Sequence, residues 1–203
     1  MPISYPLTLP TVTGFRATEL QARTVVGFTQ SPFTGEQKVY PWPGQWLQWS
    51  VELPTMTAAS AAVWAAFFLA LNGPEGTFYL GPSIRKTSGG TAAGSWAVGA
   101  SAVANATTLP LKTGSGLFAA GDWLQVGSGS TSRLHRVTQV NLDSALAMVS
   151  VDVFPRLRSA YAEDTAITYT NPKGVFRLTG LPAESYDSRK ICRGLNFTAV
   201  ESL

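Results

Sequence analysis

Residues 40–82 read YPWPGQWLQWSVELPTMTAASAAVWAAFFLALNGPEGTFYLGP, and this stretch decides the fold because it joins an aromatic strand to an apolar helix. Over residues 45–53, large apolar side chains alternate with polar ones. The apolar set is Leu47, Trp49, Val51 and Leu53, and the polar set is Gln48, Ser50 and Glu52. This period of two predicts a half-buried strand, which Pro54 ends.

A helix of about fifteen residues is predicted next, over about 58–72, with Thr57 as its N-cap and Gly73-Pro74 as the stop signal. Its two faces differ. One carries the bulky residues Trp64, Phe67, Phe68 and Leu71, and the other carries the small residues Ala59, Ala62, Ala66 and Ala70. No charge occurs between Glu52 and Glu75, so we expect the helix to be buried on more than one side, inside its own domain or against another subunit. It is too short to span a bilayer, and no membrane insertion is expected.

Composition favours a packed protein whose surface is covered by partners. The 203 residues are 45% hydrophobic, enough for one domain or two small ones, and 13% charged, about half the usual share. The net charge of +3 contains no long basic run and is weak evidence for nucleic-acid binding. Lone Cys192 excludes an internal disulfide, and residues 1–10 carry no basic-then-apolar signal, so we expect residence in a reducing cytoplasm.

Short alternating segments follow residue 82. Residues 87–102 are Gly, Ala, Ser and Thr apart from Trp96 and Val98, and no strand is predicted there. Five strands are predicted after them: Thr108–Leu111, Trp123–Val126, Arg133–Val140, Ala147–Val153 and Ala166–Thr170. Short strands separated by turn residues indicate a small barrel or sandwich. Two further strands are predicted at Gly174–Thr179 and Leu195–Val200.

The predicted fold class is mainly β, with one domain nested in another. Residues 1–82 and 172–203 are expected to form an outer β-sandwich covered by the helix, because neither flank alone has enough strands to close a core. Its N-terminal part would hold strands at Gly14–Thr18 and Arg23–Thr29, joined through the turn at 31–35 to Val39 and Tyr40. Residues 83–171 would form an inserted barrel-like module. A single-domain β-sandwich with long loops is the alternative.

The residue census gives no catalytic, metal-binding or cofactor-binding constellation. One histidine and one cysteine remove the usual metal clusters. His135, within an alternating strand, is interpreted as solvent-facing or structural, and Cys192 as a small buried residue. No loop has the lysine and strand-to-helix context of a phosphate-binding motif. The basic groups are expected to form rim salt bridges between subunits; they are Arg85-Lys86, Arg133 with Arg136, Arg156 with Arg158, and Arg189-Lys190 with Arg193.

The order of motifs resembles the distal tail proteins of long-tailed bacteriophages. The Trp-rich strand is followed by Leu-Pro-x-Met-Thr at 53–57, the Ala/Trp/Phe helix, and Gly-Pro-x-Gly-Thr-Phe-Tyr-Leu-Gly-Pro at 73–82. Later segments are similar to the inserted module and exit strand of such proteins, namely Gly121–Val126, Leu134–Val137, Val153–Arg158 and Gly174–Leu178. The resemblance covers roughly residues 39–179 and includes no catalytic signature.

This resemblance implies a structural role in the virion. Distal tail proteins form a ring, usually sixfold, that ends the tail tube, contacts baseplate hub or fibre proteins and leaves a channel for DNA. The implied partners are copies of the same chain, the tail tube protein, hub or fibre proteins and, transiently, DNA. The candidate core and subunit-interface residues are Trp42, Trp46, Trp49, Ala59, Ala62, Trp64, Ala66, Phe67, Phe68 and Ala70. A bulky residue at Ala62 or Ala66 is expected to block assembly or folding.

Two alternatives remain open from the sequence. The inserted module could be a protein-binding or carbohydrate-binding module, holding sugar on an exposed Trp96 or Trp123. The chain could also be another tail-completion or connector protein. A tail-associated hydrolase is disfavoured by the residue census.

Overall fold

The computed structural model describes residues 3–144 and 147–203. The first elements are β1 (Ala17–Gln30), β2 (Gln37–Glu52), β3 (Met56–Thr57), helix α1 (Ala58–Ala70) and β4 (Phe78–Leu80). Then come β5 (Trp96–Val98), β6 (Thr108–Lys112), β7 (Trp123–Val126), β8 (Arg133–Leu142), β9 (Met148–Phe154) and β10 (Ala166–Thr168). The last strands are β11 (Gly174–Leu178), β12 (Ile191–Cys192) and β13 (Asn196–Glu201). With 43% strand and 8% helix, the fold is mainly β, as predicted.

Five strands form an antiparallel sheet in the order β1-β2-β13-β11-β4. The predicted alternation along β2 is confirmed, since Leu47, Trp49 and Val51 are buried while the polar residues between them are half-buried. The predicted strands Gly14–Thr18 and Arg23–Thr29 are instead one strand, β1. At the other end of the sheet, Leu7 forms a parallel bridge to Phe78, so the N-terminal segment covers the edge of β4.

Helix α1 packs on one face of this sheet. The Thr57 side chain caps it by accepting a hydrogen bond from the Ser60 N–H at 3.4 Å, as predicted. The helix ends at Ala70, two residues early, because Asn72 and Gly73 adopt left-handed backbone angles of 49° and 68° in φ. The residues it buries are Ala61, Trp64, Phe67 and Phe68. Residues 3–144 and 147–203 leave its opposite side uncovered, so the expectation that this side is buried inside its own domain was wrong for the part of the chain that the structure describes.

The predicted β-sandwich is not confirmed. Apart from the barrel, the described residues contain this five-stranded sheet and a two-stranded sheet of β3 and β12. The sheet face away from α1 is polar and half-buried, as Gln48, Ser50 and Thr198 show. An antiparallel sheet is stable with one face packed and one face towards water.

The middle of the chain forms a closed barrel in the order β10-β5-β6-β9-β8-β7. All five strands predicted there are confirmed, with bounds shifted by up to two residues. The sixth strand, β5, lies in the segment for which no strand was predicted. Trp96 and Val98 of β5 are buried in the barrel core, and its short partners β6 and β10 lie on either side.

The barrel strands all lie within residues 83–171, and the five-stranded sheet comes from both flanks. The division into an inserted module and an outer domain stays a prediction. Residues 1–2 of the predicted outer domain and residues 145–146 of the predicted module lie outside the described residues. Barrel and sheet share apolar contacts. The rings of Trp49 and Trp123 are 6.1 Å apart, and Leu134 of β8 belongs to the same core as α1.

A buried ion pair also joins the two parts. Arg158, after the last residues of β9, donates from Nε and Nη2 to the two carboxylate oxygens of Glu201 at 3.1 and 2.5 Å. The Leu47 N–H donates to the same carboxylate at 3.3 Å. Glu201 is almost fully buried. Arg158 therefore pairs inside the chain, whereas a salt bridge at a subunit rim was expected of it. Arg85 and Arg193 also pair within the chain, with Asp122 and Asp187.

Replacing Glu201 by Gln is expected to lower the free energy of unfolding by about 3–5 kcal/mol, because Arg158 is left as an unpaired charge in a buried site. Urea denaturation measures this change. The matched control is Glu52→Gln at the exposed Arg16–Glu52 pair, for which a loss below about 1 kcal/mol is expected. Equal losses in the two variants would contradict the role given to Glu201.

His135 lies at the same junction and is fully buried. It pairs with Leu124 across β7 and β8, so its ring is directed towards the barrel interior. Nδ1 is 2.8 Å from the Pro155 carbonyl oxygen, and Nε2 has no hydrogen-bond partner among the described residues. Burial, aided by the charges of Arg158 and Arg133, lowers the pKa of His135 to about 4. The structural interpretation of this histidine is confirmed and the solvent-facing one is wrong.

Stability is expected to fall as the pH drops from 6.5 towards 4. In that window the unfolded chain takes up a proton on His135 that the folded chain cannot accept, which lowers the free energy of unfolding by about 2 kcal/mol between pH 7 and pH 5. Urea denaturation at both pH values tests this. His135→Gln removes the chain's single histidine, so the variant should lose less stability over that interval than the wild type; an equal loss would refute the assignment.

Candidate functional site

The hairpin of β1 and β2 extends beyond the rest of the five-stranded sheet. Strand β13 pairs with β2 only from the Asn196–Glu52 pair to the Val200–Gln48 pair. Residues 25–44 therefore form a two-stranded projection, here called the arm. Its turn is ordered by Ser31, whose side-chain oxygen accepts the N–H groups of Phe33 and Thr34. Nearly all arm residues are exposed. A hairpin without a third strand or a covering helix is marginally stable in water, so the arm is suited to contact another surface.

The arm has one apolar and one polar face. Cross-strand pairs place Val26 beside Pro41 and Phe28 beside Val39 on the first face. Val26, Phe28 and Val39 are 52%, 57% and 55% exposed. Residues 27, 29, 38 and 40 lie on the second face, where the Lys38 ammonium is 5.4 Å from the centre of the Tyr40 ring. The apolar face has the composition of a core-facing surface, but nothing in the described chain covers it.

The two edges of the arm also differ. Within residues 3–144 and 147–203, β1 pairs with β2 alone, and its outer edge carries no proline between Ala17 and Gln30. The arm portion of β2 has Pro41 and Pro43. Proline has no N–H to donate to a further strand, so the β2 edge is closed to strand addition while the β1 edge is not.

A second uncovered apolar surface lies on α1. Ala59, Ala62 and Ala66 are exposed and Ala70 is half-buried. Two larger residues belong to the same side, Val63 at 44% and Leu69 at 68% exposure. We call this set of six residues the outer helix face. It contains no charged side chain, which is unusual for a helix face directed towards water.

The predicted interface residues divide between the core and these surfaces. Trp49, Trp64, Phe67 and Phe68 are buried in the core shared by sheet and helix. Trp46 is half-buried on β2, and Trp42 is 63% exposed in the arm, so it is not a core residue. The four alanines lie on the outer helix face. No interface prediction included the exposed residues Val26, Phe28, Val39, Val63 and Leu69. The alternation at 26–28 and 39–41 indicates the two faces of the arm but not that a third strand is absent.

The residues considered for ligand chemistry have internal roles. Trp96 and Trp123 are 4% and 6% exposed, so neither can stack on a sugar as the carbohydrate hypothesis required. Cys192 is buried, as predicted. Among the described residues, no group of three or more His, Cys, Asp or Glu side chains could hold a metal ion. In the same part of the chain, no helix has the length and apolar character needed to cross a membrane.

Titratable groups at the surface are held by local pairs. The Lys112 ammonium donates hydrogen bonds to the carboxylates of Asp164 and Glu163, and these bonds raise the pKa of Lys112. A hydrogen bond to the Glu184 carboxylate raises the pKa of Tyr186 to about 12. Backbone N–H groups of Ile191 and Arg189 lower the pKa of Asp187. These groups are directed to partners within the chain and not towards the arm.

The two tryptophans at 42 and 49 give a direct test of this surface assignment. Trp42→Ala should change the free energy of unfolding by less than about 0.5 kcal/mol, because the side chain is mostly in water. Trp49→Ala should lower it by about 3–5 kcal/mol, because it leaves a cavity beside Trp123. Denaturation at low protein concentration measures both. A large loss in the Trp42 variant would mean that the arm packs on its own chain.

Comparisons with known proteins leave the family of this chain open. No protein-family model matches the chain, and no curated protein matches it. We therefore infer function from the arm, the outer helix face and the core that supports them.

Proposed function

We propose that this chain is a structural protein of a bacteriophage tail tip. It forms a ring, with six copies as the expected number, that joins the distal end of the tail tube to the baseplate hub or fibre proteins. The ring leaves a channel through which DNA passes transiently. The chain acts as a virion component assembled in the host cytoplasm and not as an enzyme, and it needs no cofactor.

The observation that carries this proposal is the pair of uncovered apolar surfaces. The arm is a β-hairpin with bulky side chains, and the outer helix face is a helical surface with small ones. Two different surfaces on one chain favour heterologous contacts, in which one patch meets another patch on the neighbour. Such contacts generate closed rings when the rotation between neighbours closes.

The sequence resemblance supports the same role. Motifs over residues 39–179 follow the order found in distal tail proteins. In this proposal residues 1–82 and 172–203 form the ring-closing domain, with a sandwich-type architecture, and residues 83–171 form a peripheral module for hub or fibre contacts. The joint between barrel and sheet supports a module held in a fixed orientation, since it combines Trp49–Trp123 packing with the Arg158–Glu201 pair.

A non-enzymatic role agrees with where the chemically reactive residues lie. His135 and Cys192 are the single histidine and cysteine of the chain, and both are buried. Neither side chain can reach a substrate from solution without opening the core. The buried carboxylate of Asp122 likewise has a structural role, because it accepts hydrogen bonds from the Gly89 and Ala119 N–H groups, each at 2.8 Å, and so holds the segment that enters the barrel.

Light scattering of the purified protein tests the proposal. Six chains of 21.6 kDa would give about 130 kDa, and negative-stain images of that species should show rings with a central hole. The measurement should extend over a wide range of protein concentrations, because ring formation follows mass action. A closed dimer, or a chain that stays monomeric over the whole range, would overturn a self-assembling ring.

A further inference from the structure

We propose that the arm of one copy packs its apolar face on the outer helix face of the next copy. This inference rests on the proposed function and deepens it, because it names the two surfaces that meet at each joint of the ring. The apolar face of the arm contributes Val26, Phe28 and Val39. The outer helix face contributes the side of α1 that carries Val63 and Leu69.

The arm exposes a large apolar area over its two faces and its turn. Its aromatic residues Phe28, Phe33, Tyr40 and Trp42 are 57%, 95%, 45% and 63% exposed. At about 150–250 Å² for each aromatic side chain, they present about 400–650 Å². Val25, Val26 and Val39 add to this area. This total counts Tyr40 on the opposite face and Phe33 in the turn. The apolar face alone, with Val26, Phe28 and Val39, presents less than the roughly 800 Å² that each partner contributes to a typical stable interface, so the contact is expected to form with rising protein concentration.

Both surfaces are uncharged, and one carries small side chains where the other carries bulky ones. Small side chains at Ala59, Ala62 and Ala66 let another backbone approach α1 closely, while Phe28 and Val39 project from the arm. Neither surface carries a charged side chain, so the contact buries no unpaired charge. Lys38 and Tyr40 lie on the opposite face of the arm and would stay at the rim of the contact, where polar groups are normal.

A second copy fits better than an unrelated protein because both halves of the contact belong to this chain. The arm and the outer helix face are exposed in the same molecule, so the arm does not cover its own helix. Each copy therefore offers one arm and one free helix face. A one-way contact extends from copy to copy and closes into a ring when the rotation between neighbours closes, whereas a reciprocal exchange of arms would stop at two copies.

Cross-linking between two variants, each with one added surface cysteine, tests the contact. Val39→Cys places a thiol on the arm, and Ala62→Cys places one on the outer helix face; native Cys192 is buried, so wild type controls for its reactivity. The two variants are mixed, allowed to exchange and treated with a short bis-maleimide. We expect a cross-linked pair of chains from the mixture and little from either variant alone. Val103→Cys, an exposed site on the barrel portion of the chain, replaces the helix variant in a parallel control and should give none.

The outcomes separate this inference from the ring itself. An arm–helix cross-link in a species of about six chains supports both. A cross-link in a species of two chains supports the contact and overturns the ring. Rings that give no arm–helix cross-link, or that give one only between two arms, overturn the contact and leave the ring proposal intact. A monomer without cross-links overturns both.

A matched pair of charge variants adds a test that needs no cross-linker. Phe28→Asp puts a charge on the apolar face of the arm and should weaken association by roughly tenfold or more, as expected for a buried aromatic anchor. Thr29→Asp puts the same charge on the polar face one residue away and should leave association nearly unchanged. Circular dichroism checks that both variants fold. Equal weakening by the two would overturn the assignment of the contact to the apolar face.

Discussion

Trp64 is fully buried and lies at the centre of the aromatic contacts that hold α1 on the five-stranded sheet. Its ring stacks on Phe68 with centroids 5.7 Å apart and lies 6.2 Å from Phe197 of β13. Its indole N–H donates to the Thr13 hydroxyl at 2.9 Å, which also secures the N-terminal segment. Because this packing fixes which side of α1 is inside, it also fixes which side faces outwards. The outer helix face is thus a consequence of the core.

The barrel depends on the same sheet for its position. Trp123 and Leu134 belong to the core that contains Trp49, so the junction is an extension of the main core and not a flexible linker. Glu201, the last residue of β13, adds a charged contact to Arg158 from the barrel side. A force applied to the barrel would therefore be transmitted to β13 and from there to the neighbouring strand β2, whose far end forms the arm.

The sequence predicted the elements whose patterns are local. The alternation in β2, the Thr57 cap and the stripe of Trp64, Phe67, Phe68 and Leu71 each arise from neighbours in the chain, and the structure confirms them. Strand β5 was missed because Gly, Ala, Ser and Thr around Trp96 give no apolar period, and its pairing with β6 and β10 supplies what its own sequence lacks. The length of the helix and the bounds of the five predicted barrel strands were within two residues of those observed.

The candidate surfaces could be predicted less completely than the fold. The alanines of α1 were recognised, but whether they were covered depends on elements far away in the sequence. Trp42 has the same residue type as Trp49 and lies seven positions before it, yet one is exposed and the other buried, because β13 reaches only one end of β2. Burial of this kind is decided by where a neighbouring strand stops, and no pattern within β2 encodes it.

The prolines of the arm have a further consequence for copies that have not yet assembled. An uncovered hairpin with an open β1 edge could stack with other copies into fibrils, a process that requires each strand pair to accept a new strand on both sides. Pro41 and Pro43 close one of those sides. Two copies could meet through their β1 edges, but the stack would have no edge left to grow from. Free chains can thus accumulate at high concentration without fibril growth while their arms are uncovered.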